Sequence, residues 1–268
     1  MLELRSLSFE YGAGPVISGV DLTVPAGQFL SLLGPSGSGK TTLLRLVAGL
    51  ERPTAGTIRW RGAPIEGPSL RRGIVFQDYS LFPWMTLRQN VELAIGKANR
   101  DLARSGRRDL ADEYLSLVGL GGSGSKHPHE LSGGMRQRGA IARAIALGPE
   151  LLLLDEPFGA LDPVNRARLQ DLLLEIWSAS TPRKTVLLVT HDVDEALLLG
   201  SRVVVLGSAP GRIIADLEVP FPYPRSRRSL FAAHEYVELE ERIAAHYRHD
   251  VIARIELPDV VAGLAEQI

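Results

Sequence analysis

The sequence predicts an α/β fold built on a mixed sheet, with an antiparallel β-subdomain at its N-terminal end and an α-helical subdomain inserted in the middle. Three observations point there. The apolar runs at 29–33, 151–154 and 185–190 are short and unbroken, as in strands covered on both faces, and helix-like text follows the first two. Residues 2–30 alternate apolar and polar positions with turns between, an antiparallel pattern. Residues 78–147 are largely helical in period and interrupt the strands, so they form an inserted block. The expected divisions are 1–77 with 148–219 for the core and its β-subdomain, 78–147 for the inserted helices, and 220–268 for a basic linker and helical tail.

Composition narrows the class. The 268 residues are 45% hydrophobic, ample for a sizeable core, and 30 basic residues against 31 acidic ones leave a formal charge of −1. No bulk charge draws the chain to nucleic acid, and no nucleic-acid partner is expected. With no cysteine there is no disulfide framework, thiolate metal site or cysteine nucleophile. The opening MLELRSLSFEYG puts charges where a secretory apolar segment would lie, so no signal peptide is expected. The most apolar stretches, at 151–154, 186–189 and 196–206, are too short or are broken by Gly200 and Arg202, so none spans a bilayer.

In chain order, LELRSLSFEY and VISGVDLTV read as two strands joined at GAGP. Tyr11 ends the first of them beside flexible glycines, where its ring can stack on a purine or serve as an ordinary strand aromatic. After the strand at 29–33 comes GPSGSGKTT, residues 34–42, and then the helix-like LLRLVAGL. Gly34, Gly37 and Gly39 let the backbone turn so that N–H groups point into one concavity, with no Cβ in a phosphate's way. Pro35, Ser36, Ser38 and Thr42 complete the loop, and the helix start near Gly39 adds free N–H groups and the positive end of its dipole. Lys40 can reach β- and γ-phosphates, and the Thr41 hydroxyl can complete the shell of a Mg²⁺. Gly49 and Pro53 stop the helix, and GTIRWRG with IEGPS suggests a further strand pair.

A short strand at 73–76 delivers Gln77 to a strand end, where α/β sheets collect ligand-binding groups. Its amide can touch the Mg²⁺ or place an attacking water, or it is a plain surface glutamine. The helical text from about 85 to 120 carries Leu110, Tyr114, Leu117 and Val118 on one face, and glycines at 119, 121, 122 and 124 end it. In LSGGMRQRGAIARAIALGPE, Ser132 suits a helix N-cap, and Gly133 and Gly134 fall in the first turn, a second anion site. Ala140, Ile141, Ala144 and Ile145 form the packed face there, with Arg136, Arg138 and Arg143 left polar.

Four leucines at 151–154 end in Asp155 and Glu156. The first carboxylate can hold Mg²⁺ opposite Thr41, and the second, pointing another way, suits a general base that polarises water for in-line attack on a γ-phosphorus. Asp162 in FGALDP can cap a helix over 165–179. The strand at 185–190 presents His191 at its end, where it can donate to a γ-phosphate or be merely structural. The remaining histidines form no expected metal cluster, and His246 and His249 read as a solvated helix face.

Together these motifs resemble the ATP-binding subunit of an ABC transporter over at least residues 2–218. GPSGSGKT is similar to its Walker A, Gln77 to the Q-loop, LSGGMRQR to the signature, LLLLDE to Walker B, GALD to the D-loop and His191 to the switch histidine. The resemblance implies a P-loop NTPase core with a RecA-like mixed sheet, ATP and Mg²⁺ as ligands, and Tyr11 as the adenine-stacking residue. It implies a homodimer in which the phosphate loop of one chain and Ser132, Gly133 and Gly134 of the other clamp one ATP, with Asp162 at the junction. The implied roles are Lys40 on phosphate, Thr41, Asp155 and Gln77 around Mg²⁺, Glu156 as base and His191 as sensor. Met135 and Gly139 depart from the usual signature without removing the phosphate-binding amides.

QDYSLFPWMTLRQNV, DEPFGALD and the late SAPGRI with EVPFPYPRSRR look like the nitrate, sulfonate and taurine import subfamily. That likeness implies transmembrane permease subunits, with Trp84 in the groove that receives their coupling helix. It also implies an extracytoplasmic binding protein and a place on the cytoplasmic face of the inner membrane. PRSRRSL is expected as a solvated basic loop or a docking contact to permease or phospholipid. Beyond it Tyr236, Leu239, Ile243 and Tyr247 form one stripe, expected to pack on the chain's own domain. A soluble ABC ATPase and a small P-loop phosphotransferase are the other classes; the short Lys40 to Ser132 spacing argues against the first and LSGGMRQR against the second.

Overall fold

The computed structural model describes residues 1–12 and 14–255; Ala13 of the GAGP turn and 256–268 of the expected tail lie outside the described residues. The chain runs β1 (Leu2–Tyr11), β2 (Gly14–Val24), β3 (Phe29–Leu33), α1 (Lys40–Ala48), β4 (Ala55–Trp60), β5 (Ala63–Pro64), β6 (Arg72–Val75), α2 (Leu87–Ala98), α3 (Arg104–Leu117), α4 (Gly133–Ala146), β7 (Leu151–Asp155), α5 (Pro163–Ala179), β8 (Thr185–Thr190), α6 (Val193–Leu199), β9 (Arg202–Leu206), β10 (Ile213–Glu218), α7 (Arg227–Phe231) and α8 (His234–Ile255).

Two sheets result. The N-terminal strands make an antiparallel sheet in the order β2-β1-β4-β5, and the larger sheet runs β10-β9-β3-β8-β7-β6. Its inner strands are parallel and β10 alone runs antiparallel, against β9, so the sheet is mixed. The leucine run of β7 shows why such strands are apolar throughout. Leu151 and Leu153 enter the apolar cluster that contains α1 and the N-terminal sheet, while Leu152 and Leu154 enter the one shared with α2 to α6 and the C-terminal segment. Successive side chains point to opposite faces, and both faces are covered.

Helix α1 lies between the sheets with Leu43, Leu44, Leu46 and Val47 all buried, and Gly49 at φ 81° ends it, as the sequence predicts. The inserted helices differ from expectation in two respects. The buried positions of α3 and its end are Ala111, Leu115 and Val118, an i, i+4, i+7 stripe; Leu110 and Tyr114 flank it, and Leu117 is 54% exposed. On α4, Ala140, Ile141, Ala144 and Ile145 are buried as expected. Arg143 is not simply a polar-face residue: it lies over the Phe82 ring and donates to Ser80 O at 2.7 Å. Helix α5 begins two residues before the expected 165, at Pro163, behind the Asp162 cap.

The basic segment after β10 is not a solvated loop. Arg225 is buried, and its guanidinium donates to the carbonyls of Leu197 at 2.8 Å, Leu198 at 3.1 Å and Gly200 at 2.7 Å, where α6 ends with unpaired C=O groups. It also lies 4.1 Å from the Tyr223 ring centroid. The Tyr223 hydroxyl donates to Leu199 O at 2.7 Å, and burial pushes its pKa up to about 12. Tyr236, Leu239 and Ile243 of α8 are buried on the same domain, with Tyr247 packed beside them, as the helical stripe predicts. Near the end of α8, the buried Asp250 accepts from Ser208 N at 2.9 Å and pairs with Arg212 at 3.2 Å.

Candidate functional site

The loop from β3 to α1 is shaped by close backbone approach. A Cβ on Gly34 would come within 2.6 Å of Ser38 Oγ and 3.0 Å of Leu206 O. Gly39 stands at φ 85° as the N-cap of α1, and a Cβ there would meet Ile17 Cδ1 at 2.6 Å and Val16 O at 3.0 Å. The β1–β2 hairpin therefore presses on the back of the loop. No side chain caps α1, so its first N–H groups remain open to an anion, and the buried Ser38 Oγ has no protein partner.

The side chains singled out in the sequence converge at this loop. An open cleft of about 440 Å³ is lined by Val16, residues 36–42, Gln77, Glu156 and His191. Lys40 Nζ folds back on its own loop and donates to Gly34 O and Pro35 O, both at 2.8 Å. Burial holds its pKa below the usual lysine range, against the pull of Glu156 and Asp155. Thr41 Oγ1 donates to Asp155 Oδ1 at 3.1 Å, across from β7. Burial pushes the Asp155 carboxyl above the usual aspartate range, while the Thr41 hydrogen bond pulls it back.

Glu156 follows β7 in the left-handed region, φ 45°, an uncommon conformation for a side chain of that size. Its N–H donates to Val189 O at 3.0 Å, which anchors the turn to β8. The turn throws its carboxylate away from Asp155 and toward the end of β8, where Glu156 Oε2 lies 3.2 Å from His191 Nδ1. The histidine is 62% exposed and faces the cleft.

Gly34, Pro35 and Asp155 adjoin the cleft without lining it, and three further predicted groups stand apart from it. Tyr11 is 44% exposed and stacks edge-on against Phe9 with ring centroids 4.8 Å apart. Ser132 caps α4, its Oγ accepting from Met135 N at 3.3 Å; Gly133 and Gly134 lie beside Tyr79, Ala160 and Leu161 of the same chain. Asp162 caps α5, accepting from Val164 N at 3.1 Å, Asn165 N at 3.0 Å and Asn165 Nδ2 at 2.6 Å. Those hydrogen bonds hold its pKa below the usual carboxylate range.

Two residues of the site were not legible in the sequence. Val16 joins the cleft from β2, and only the hairpin's packing on the loop brings it there. Arg143 steadies the segment after Gln77, where Tyr79 and Ser80 have φ of 70° and 46°. The Leu87 side chain occupies the space that a Cβ on Gly139 would need, which accounts for glycine at that point of α4.

The chemistry of the site is that of phosphate and a hard cation. Amides, an ammonium and an orphaned serine hydroxyl surround the loop, and Thr41, Asp155 and Gln77 offer the oxygen donors that a magnesium ion takes. Among the described residues no group of three His, Cys, Asp or Glu is set to hold a metal.

Comparisons with known proteins agree with this geometry. Residues 17–159 match the family model described as ABC transporter. The chain is 46% identical over 235 residues to the nitrate import ATP-binding protein NrtD of Synechococcus elongatus, covering 87% of this chain and 85% of the relative. It is 48% identical over 228 residues to the bicarbonate transport ATP-binding protein CmpC of the same organism, covering 85% of this chain but 34% of that longer protein. Among solved structures, a dimeric ATP-binding cassette in a post-hydrolysis state, bound to ADP and Pi, superposes with a TM-score of 0.75 at 31% identity, over 83% of this chain and all of that one.

Proposed function

The chain belongs to the ABC transporter family, and we propose that it is the ATP-hydrolysing subunit of an importer that takes up a small anion. The observation that carries this reading is the meeting, in one cleft, of an uncapped glycine-loop helix, the Thr41–Asp155 pair and the Glu156–His191 pair. The family and the relatives named for nitrate and bicarbonate supply the transport context.

Each residue's position supports the part proposed for it. The amides of residues 34–41 take the phosphates of ATP, and Lys40 exchanges the Gly34 and Pro35 carbonyls for phosphate oxygens. Thr41, Asp155 and Gln77 are the residues to hold Mg²⁺, which when bound supplies charge neutralisation between the phosphates. Glu156 accepts the proton of the attacking water as its oxygen bonds to the γ-phosphorus; the bond from that phosphorus to the bridging oxygen breaks, leaving ADP and phosphate. His191, within reach of Glu156, orients the carboxylate and donates to the γ-phosphate. Tyr11 stacks on adenine from outside the cleft. Since Ser132, Gly133 and Gly134 lie outside it, they complete the site of a second copy, with Asp162 at the seam between the two. The working unit is a homodimer on permease subunits at the cytoplasmic face of the inner membrane, fed by an extracytoplasmic binding protein. Trp84, with 70% of its surface exposed beside Phe82, is the residue offered to the permease.

For the solute, the named relatives favour nitrate or bicarbonate, and the SAPGRI and PRSRR segments keep taurine and aliphatic sulfonates as the second reading. Deleting the gene in its host and growing it on nitrate as sole nitrogen source, or on taurine or alkanesulfonates as sole sulfur source, separates them. Loss on nitrate alone, restored by the wild-type gene and not by Glu156→Gln, is the expected result. Loss on sulfonates alone moves the assignment to that branch, and restoration by Glu156→Gln overturns the hydrolytic role.

A further inference from the structure

His191 is held by its neighbours rather than by its own ring. Thr190 Oγ1, one residue before it, donates to Glu195 Oε2 at 2.8 Å and accepts from Asp192 N at 3.0 Å, one residue after it. Asp192 Oδ1 in turn accepts from Glu195 N at 3.1 Å. The buried Glu195 side chain thus holds Thr190, and its backbone N–H holds Asp192, the residues on either side of His191. A buried carboxylate needs its oxygens satisfied, and the second one faces α5: Glu195 Oε1 accepts from Gln170 Nε2 at 3.2 Å, with Arg166 Nε 3.9 Å away.

The chain of contacts continues past α5. Gln170, itself buried, has its carbonyl oxygen free for a second partner and gives it to Arg227 NH2 at 2.7 Å, from α7 in the C-terminal segment. Arg227 also donates to Ala167 O at 3.0 Å and pairs with Asp171, so one side chain grips a full turn of α5. A second tie runs in parallel, with the Tyr236 hydroxyl of α8 bonded to Asp194 of α6. Both ties reach the turn that presents His191, and α5 is the helix that starts at Asp162.

We propose that Glu195 positions His191 for hydrolysis, and that the C-terminal segment supports that position through Arg227 and Gln170. The inference rests on the ATPase reading of the cleft. Glu195 touches no substrate; its carboxylate acts by fixing the Thr190 hydroxyl, which in turn holds Asp192 N, so that the imidazole stays within reach of Glu156. Any partner or signal that loosens α7 from α5 would then slow hydrolysis without entering the nucleotide site.

Steady-state ATPase kinetics on Glu195→Ala, His191→Ala and the double variant test it. The expected result is a fall in kcat of about tenfold for Glu195→Ala with KM within about twofold, and little further loss when it is added to His191→Ala. Losses that multiply in the double variant, or a change in KM alone, overturn the positioning role. A charge swap keeps the test open where the alanine variant does not fold. In Glu195→Gln only one end of the new amide can accept, so either its NH2 faces the Gln170 NH2, donor against donor, or the Thr190 hydroxyl loses its acceptor. Adding Gln170→Glu removes that clash, so the double swap should recover activity to within about threefold of wild type. Failure to recover counts against the network, as does Arg227→Ala without any loss; about a threefold loss is expected there. The ring ¹H–¹³C resonances of His191 report its position without any turnover and should shift in Glu195→Gln and return in the swap. If they shift while the wild-type protein hydrolyses no ATP, the functional reading fails and the positioning stands; if they stay put while the wild type is active, the positioning fails alone.

Discussion

Helices α1 and α4 both start at glycine-rich turns, yet one start is left uncapped and the other is capped by its own serine. α1 opens at Gly39 with no side-chain cap, and the lysine, threonine, carboxylates and histidine that complete its site come from the same molecule. α4 opens at Ser132 with its own side chain as cap, and no acid, base or cation from this chain joins it in the cleft. An open helix end with assembled chemistry is a site that binds alone. In the homodimer proposed above, the capped end would be the half of a site that another copy completes.

Breaking the first half should have the largest effect. Lys40→Ala removes the ammonium at the loop and should weaken ATP binding by about a hundredfold in titration calorimetry, since charge-assisted phosphate contacts are among the strongest a protein makes. Wild-type affinity would put the phosphates elsewhere. The second half should respond differently. Ser132→Ala should leave ATP affinity of the isolated chain within about twofold while lowering ATP-driven association of Glu156→Gln chains, followed by light scattering, about tenfold. The lost cap itself should cost about 1 kcal/mol in chemical unfolding. Equal loss of monomer binding would erase the distinction between the two helix ends.

The smallest effect sharpens the comparison with a third helix start. α5 is capped by a charged group, Asp162, whose folded pKa is depressed by its bonds to Asn165 and Val164. A depressed carboxylate lends stability that is present above its unfolded value of about 3.9 and lost as pH falls through the folded value. The Asn165 amide resonance should therefore titrate with a midpoint below about 3.9, whereas the Met135 amide behind the Ser132 hydroxyl should show no such step. A midpoint at or above the ordinary value would mean that the cap is not formed in solution.

What was legible in the sequence is what local chemistry dictates. Gly34 to Thr42 could be read because only glycine fits the turn at 39 and the close approach at 34. Asp155 and Glu156 could be read because two acids rarely follow four leucines without a purpose. The positive φ of Glu156 was not legible, since it is imposed by the anchor to Val189 on another strand. Nor was the clasp around His191, whose partners Gln170 and Arg227 lie 25 residues before and 32 after Glu195 in number but side by side in space. Leu117 went astray because Leu110, Tyr114 and Leu117 satisfy a helical period as well as Ala111, Leu115 and Val118 do. Alanine at 111 hid the true stripe, which only contact with α2 and α4 selects. The basic segment misled for a related reason. Arginine reads as solvent-facing until a helix end with spare carbonyls, here that of α6, is found beside it.

That last contact bears on how such a chain can be divided. Arg225 and Tyr223 close the end of the helix that follows His191, so a cut after Val219 would strip the carbonyls of Leu197, Leu198, Leu199 and Gly200 of these donors and bare the Trp177 ring that packs on Tyr223. Exchanging this motor between transport systems therefore calls for a junction beyond α8. The residues after β10 travel with the engine as part of its frame.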